Sequence, residues 1–307
     1  ILLGLVGSEM CIRDSPRPSH PDVLVGLEDS DDASVLRIPS GQLLVQSVDH
    51  FRTFIDDPYI FAPVTTNHCL SDLFAMGARA HTAQAMVSMP YALEDKVERD
   101  LLALLSGVHE ALDEAGGVLV GGHTAEGPEL ALGLAVNGLM SEADLLRKGG
   151  LRTSHQLILT KPLGTGVIFA ADMRAEARAG WVEGTLNSML QSNYRAAQCF
   201  RRFGAFGCTD ITGFGLGGHL IEMLRASGHC ASLDPSAIPR YDGTDELLRQ
   251  GVRSSLHEGN AAFLERVEAS AACDDIDLAL LVDPQTSGGL LAGVPTDSVP
   301  ACLNALH

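Results

Sequence analysis

The stretch that most constrains this chain reads Gly207-Cys208-Thr209-Asp210-Ile211-Thr212-Gly213-Phe214-Gly215-Leu216-Gly217-Gly218-His219-Leu220. A short apolar run ends in the acidic Asp210, Gly213 and Gly215 make a turn, and residues 216–226 are amphipathic. That order predicts a strand, a glycine turn and a helix N-terminus. Glycine lets a backbone approach a ligand closely. A helix N-terminus presents unpaired N–H groups and the positive end of the helix dipole, which suits phosphate. The carboxylate of Asp210 beside it suits a magnesium ion held jointly with that phosphate. A tight turn with no ligand satisfies the same residues. Recurrence favours a site: strands ending in Asp or in Gly-Gly return in both halves of the chain, without a residue-level repeat.

The 307 residues are enough for two domains at about 150 residues each. Hydrophobic residues make up 46 %, enough for a sizeable core, while 32 glycines and only 5 % aromatics fit an α/β chain with functional turns. Acidic residues outnumber basic ones 39 to 21, a formal net charge of −18. This argues against non-specific nucleic-acid binding and against an anionic membrane surface. A local site can still take a nucleotide through metal and N–H groups. Seven cysteines without CxxC spacing read as reduced thiols of a cytoplasmic protein. No apolar run reaches the roughly 18 residues of a membrane span.

Residues 1–21 read as an unstructured or foreign leader: an apolar start without a basic region or initiator Met, then Pro16, Pro18 and Pro21. Residues 22–145 form the first expected domain and residues 146–307 the second, whose end falls within an apparent helix. Residues 33–38 and 43–48 are expected as a hairpin across Pro39-Ser40-Gly41. Asp57 and Pro58 open a helix that runs to about Met76, and a strand covers residues 81–89. Residues 93–115 are a long amphipathic helix with a stripe of Leu101, Leu102, Leu104, Leu105, Val108 and Leu112, ended by Gly116-Gly117. Residues 118–120 read as a short strand ending at Gly121-Gly122-His123-Thr124, and residues 130–139 as another. In the second half, residues 156–160, 231–233 and 278–282 read as strands. Helices are expected from Val167, over 185–203, after Gly213, and over 242–249 and 260–268.

Asp31, Asp32, Asp49, Asp72 and Asp210 stand at element ends or on a helix, the kind of carboxylates magnesium takes with waters and substrate phosphates. A solvated turn or a helix cap accounts for each of them taken singly. Gly122, His123 and Thr124 offer N–H groups and a hydroxyl, or a plain turn. Lys161 reads either as a phosphate contact or as a surface lysine. Cys69, Cys208 and Cys230 read as buried structural thiols, and His219 as a packing or capping residue.

Five motifs then occur in the order and spacing of one family: Asp31-Asp32-Ala33-Ser34-Val35, Leu70-Ser71-Asp72-Leu73-Phe74-Ala75-Met76-Gly77, Gly121-Gly122-His123-Thr124, Thr209-Asp210-Ile211-Thr212-Gly213-Phe214-Gly215 and Asp283-Pro284-Gln285-Thr286-Ser287-Gly288-Gly289. Over residues 22–294 the chain resembles selenophosphate synthetase (selenide, water dikinase), within the wider superfamily of aminoimidazole ribonucleotide synthetase, hydrogenase maturation and thiamine-phosphate kinase proteins. The resemblance implies a two-domain α/β (α+β) aminoimidazole ribonucleotide synthetase-like fold, with the N-terminal sheet pairing across a homodimer and a C-terminal α/β domain. It implies ATP and Mg2+, with selenide converted to selenophosphate and AMP plus phosphate released, for selenocysteine and selenouridine synthesis. Matched positions imply Asp32, Asp72 and Asp210 as magnesium ligands. They imply Asp29, Ser30, Asp31, Asp49, Asp72, Gly122, His123 and Thr124 as ATP contacts.

One part of the family pattern is missing. The family carries a glycine-rich segment with a reactive Cys or selenocysteine and a Lys three residues later. Here Cys11 is the only cysteine before the acidic cluster; Ile12-Arg13-Asp14 follow it, without the flanking glycines or the Lys, and it lies too close to Asp32. No catalytic thiol is therefore assigned, and an incomplete chain is the expectation. A non-catalytic nucleotide-binding paralogue and another ATP-dependent enzyme of the superfamily are the alternatives.

Overall fold

A computed structural model describes residues 20–25, 35–270 and 273–306. The expected leader up to residue 19, Cys11, and the acidic residues Asp29, Ser30, Asp31 and Asp32 lie outside the described residues. The chain divides into two compact units. One takes the described part of Ile1–Phe74 with Ala78–Leu145, and the other takes Ala75–Gly77 with the described part of Leu146–His307.

In the first unit β1 (Val23–Val25) pairs antiparallel with β2 (Val35–Leu36). Then follow β3 (Leu43–Arg52), α1 (Pro58–Ala75), β4 (Arg79–Pro90), α2 (Glu94–Glu114), β5 (Val118–Gly127) and β6 (Ala131–Met140). The last four strands form one sheet in the order β3-β6-β4-β5. Only β4 and β5 are parallel, and α2 is the crossover that such a pair requires. Helix α1 starts where Asp57 Oδ1 accepts the Tyr59 N–H at 2.8 Å, with Pro58 in the first position, where its missing N–H costs nothing. Phe61, Val64, Leu70, Leu73 and Phe74 of α1 are fully buried. The helix meets α2 at Gly107, where an added Cβ would stand 2.6 Å from Tyr59 O and 2.9 Å from Pro63 Cδ. Pro63 sits inside α1 without ending it.

The second unit carries β7 (His155–Leu159), α3 (Thr165–Asp172), α4 (Ala179–Met189), α5 (Tyr194–Arg202), β8 (Cys208–Asp210), α6 (Gly215–Ser227), α7 (Thr244–Arg249), α8 (His257–Asn260), α9 (Asp275–Leu281), β9 (Leu290–Pro295) and α10 (Val299–Leu306). Its antiparallel sheet runs β7-β9-β8. Leu163, Val167, Ile168, Ile211, Leu220, Met223 and Leu280 form the heart of its core.

Several expectations change. The strand at Val35–Leu36 pairs with β1 rather than with β3, so the expected hairpin across Gly41 is replaced by two separate sheets. Leu102 is 39 % exposed and leaves the α2 stripe. The helical region expected over 185–203 is two helices, α4 and α5. Residues 231–233 are not a strand. Residues 278–282, read as a strand from their apolar run, belong to α9. There Asp274 accepts from the backbone N–H groups of Ile276 and Asp277, and the Asp277 side chain accepts the Asp274 N–H in return. This reciprocal cap overrides the β-like composition. Cys230 is exposed, whereas Cys69 and Cys208 are buried.

Candidate active site

Strand β3 alternates, so Val45, Ser47, Asp49 and Phe51 share a half-buried face while Gln46, Val48 and His50 are exposed. Asp49 therefore lies within a strand rather than at its end. Its backbone oxygen lies 3.8 Å from Cys69 Sγ on α1, and Asp72 stands three residues further along that helix, on the same side. Ser47 Oγ donates to Asp72 Oδ2 at 2.5 Å. Asp49 and Asp72 share a side-chain hydrogen bond. Burial, reinforced by the charge of Asp72 and by that hydrogen bond, pushes the Asp49 carboxyl up to about 6. The same burial, with Asp49's charge, drives the Cys69 thiol far above its ordinary range, so it is no nucleophile. Two adjacent carboxyl groups, one of them raised by burial and by its neighbour's charge, are a donor set into which a divalent cation fits. Ser47 escaped sequence reasoning, although its position two residues before Asp49 puts it on the same strand face.

The Gly-Gly-His-Thr motif sits inside β5, not after it. A register shift opposite Ala83 and Gln84 carries the strand past Val120 and through Thr124. Gly122 is required there because a Cβ would stand 2.2 Å from Ala85 O of β4. Asp49, Leu134, Ala85 and Gly122 are successive register partners across the sheet. Asp49 and Gly122 thus occupy one row at opposite edges, three strand spacings or about 14 Å apart. His123 pairs with Met86 on the open face, where Met86 is 40 % exposed, so His123 and Asp49 face opposite sides.

In the second unit Asp210 is the last residue of β8 and is buried. The two motifs flagged there interlock. Gln285 N donates to Thr212 O at 2.9 Å and Ile211 N to Gly289 O at 2.8 Å. Gly215 has φ +69°, and a Cβ on it would lie 2.8 Å from both Asp283 O and Leu281 O. Asn260, not anticipated from the sequence, donates to Gly213 O and Val282 O and pins the turn to α9. His219 Nε2 lies 3.1 Å from Thr212 Oγ1, and burial pushes the imidazole down to about 4. Asp283 Oδ2 accepts from Gly166 N at 3.1 Å and Gln285 Nε2 at 3.0 Å, and burial raises its carboxyl to about 7. Lys161 is not a surface lysine. It is buried, with Nζ donating to Gln191 O at 2.7 Å and Ser287 O at 2.9 Å.

The family described as AIR synthase related protein, N-terminal domain, matches residues 30–140, and the corresponding C-terminal domain matches residues 114–307. The selenide, water dikinase of Nitratidesulfovibrio vulgaris is 36 % identical over 307 residues, covering 97 % of this chain and 86 % of the relative. That of Pelobacter propionicus is 39 % identical over 94 % of this chain and 83 % of its own. The chain belongs to the selenide, water dikinase family. Its fold is the two-domain AIR synthase-like one. Thiamine-monophosphate kinase from Stenotrophomonas maltophilia superposes with a TM-score of 0.72 at 19 % identity, over 98 % of this chain and 88 % of that one. The hydrogenase maturation protein HypE in complex with ATP superposes with a TM-score of 0.68 at 18 % identity, over 97 % and 81 %. At these identities the two structures speak for the fold of this dikinase-family chain alone. Among the described residues no helix is long and apolar enough to cross a membrane.

Proposed function

We propose that this chain takes part in ATP-dependent phosphorylation of selenide, giving selenophosphate, AMP and phosphate. The observation that carries the reading is the convergence of Asp49 and Asp72 on one half-buried face, in a chain of this family. Phosphoryl transfer is mainly positioning and charge neutralisation, and a carboxyl pair beside an open sheet edge supplies the cation-holding part. Asp72, with Asp49 beside it and with Asp32 by its matched position, would hold Mg2+, and Asp210 is a magnesium ligand by its own matched position. The ion, when bound, supplies positive charge to the phosphate oxygens of ATP. Asp29, Ser30, Asp31, Gly122 and Thr124 complete the nucleotide contacts in this reading, and His123, on the other face of the sheet, would reach a nucleotide only from that side. Gly122 lets β5 approach β4 closely at this row, where a Cβ would meet Ala85 O.

Residues 22–145 then form the ATP- and magnesium-binding and dimerisation domain, and residues 146–307 the second domain. The open face of the sheet supports a homodimer: Leu44, Val48 and Met86 are all substantially exposed there. The acidic, span-free chain fits the cytoplasm.

The test is 31P NMR of ATP turnover by the protein, with and without selenide. Selenide-stimulated AMP together with a selenophosphate resonance is the expected result. ATP consumption that ignores selenide and responds to a carboxylate or amide substrate would overturn the reading.

A further inference from the structure

His20, Asp22 and His81 come together in the first unit. Nothing in the family motifs involves them. His81 lies near the start of β4, where the register to β6 shifts between Ala80 and Thr82. A bulge of this kind re-aims a side chain. Here the re-aimed imidazole is buried, at 2 % exposure, and its Nε2 lies 3.3 Å from Asp22 Oδ2. His20 Nδ1 lies 4.0 Å from the same carboxylate oxygen. The two rings pack edge to face with centroids 4.9 Å apart. One ligand atom from each residue falls within 4.8 Å of the others.

The backbone around the cluster is itself held. Val23 N donates to His20 O at 3.0 Å, Arg37 N to Asp22 O at 2.7 Å, and Asp22 N to His20 Nδ1 at 3.2 Å. The three side chains are thus presented by the base of the β1–β2 pair on one side and by a bulged sheet strand on the other. Asp49 and Asp72 lie elsewhere. Ala85, in register with the Asp49 row, is four residues or about 13 Å along β4 from His81.

We propose that His20, Asp22 and His81 form a binding site for a borderline divalent transition-metal ion of the zinc class. Two imidazoles and one carboxylate are the donor set such an ion prefers, whereas magnesium and calcium prefer an all-oxygen shell. With metal–ligand bonds of about 2.0–2.1 Å, tetrahedral ligand atoms stand roughly 3.3 Å apart. The 3.3 Å edge from His81 to Asp22 already has that length, and the 4.0 Å edge to His20 closes by a small ring rotation. His20 Nδ1 accepts the Asp22 N–H in the empty cluster, and the same lone pair turns to the metal when the ring rotates. The Arg79 guanidinium is near enough to His20 to oppose a cation, and Asp22 is the compensating charge there among the described residues. Three protein ligands leave at least one position for water. A bound ion would fasten the segment at His20 and Asp22 to the core sheet, just before the sequence positions assigned to nucleotide binding.

The test is calorimetric titration of the chelator-treated protein with zinc in excess magnesium, so that the aspartate site is occupied. Cobalt serves as a spectroscopic stand-in through its visible d–d bands. One zinc equivalent is expected, with a rise in melting temperature and cobalt bands of a nitrogen- and oxygen-ligated ion. His20→Ala and Asp22→Asn should each weaken zinc by roughly 100-fold or more, beyond the 10–100-fold typical of outer-shell changes. Both residues are at the periphery of the cluster and both variants keep the His81 packing, so they test the site without a folding defect. A zinc isotherm identical in the wild type and the His20→Ala/Asp22→Asn double variant overturns the site. So does zinc binding that excess magnesium abolishes.

Discussion

Asp49 of β3 and Asp72 of α1 hold their carboxyl groups in hydrogen-bonding contact, with Ser47 Oγ donating to Asp72 from the same strand face. Burial, reinforced by the Asp72 charge, raises Asp49 to about 6, so it holds its proton to higher pH than an ordinary carboxyl does. A divalent cation takes the place of that proton. The strand and the helix that supply the pair are independently ordered, by the β3–β6 ladder and by the Asp57 cap, so the site is preorganised before any ion binds.

Replacing either member separates binding from folding. Asp72→Asn and Asp49→Asn should each weaken magnesium-dependent ATP binding by about tenfold or more, equivalent to roughly 1.4 kcal/mol. Neither should lower the melting temperature, because each removes a like-charge contact. Calorimetry with ATP in the presence and absence of magnesium checks the first part and a thermal melt the second. Unchanged affinity in both variants would remove the pair from the site.

Asp283 gives stability a pH dependence of definite sign. The folded state keeps its proton up to about 7, whereas the unfolded chain releases it near 3.8. This contribution is therefore fully present below about pH 4, declines as pH rises and is gone above about 7. The window corresponds to an upper figure of roughly 4 kcal/mol. Asp283→Asn retains an acceptor for Gly166 N and does not titrate. Urea midpoints for the two proteins between pH 4 and 8 should converge in slope only if Asp283 is not the source.

The two glycines of the central turn should respond differently to the same change. Gly215→Ala places a methyl 2.8 Å from two carbonyl oxygens at φ +69° and should cost about 2–5 kcal/mol. Gly213→Ala meets nothing within 4 Å and should cost less than about 1 kcal/mol. Equal losses in denaturation midpoint would contradict the interlocked arrangement of the two motifs.

Lys161→Met should act on stability alone. The amine, brought down to about 7 by burial, donates to Gln191 O and Ser287 O whether charged or neutral. Losing it strands two carbonyls, for about 2 kcal/mol or more. ATP affinity of the folded variant should match the wild type; a selective loss of affinity would restore the phosphate-contact reading.

Local chemistry was legible in the sequence. The Asp57-Pro58 start of α1, the stop at Gly116 and the spacing of the five motifs each depend on residues a few positions apart, and they were enough to point to the family. Tertiary contacts decided the rest. The β1–β2 pairing, the run of β5 through Gly122 and the burial of Lys161 depend on partners far away in the chain. The interlock of residues 209–215 with 283–289 and the approach of His81 to Asp22 do so as well. Apolar periodicity and turn residues report how a segment bends and which side it buries. Which distant segment it meets there is settled only by the packing of the whole unit.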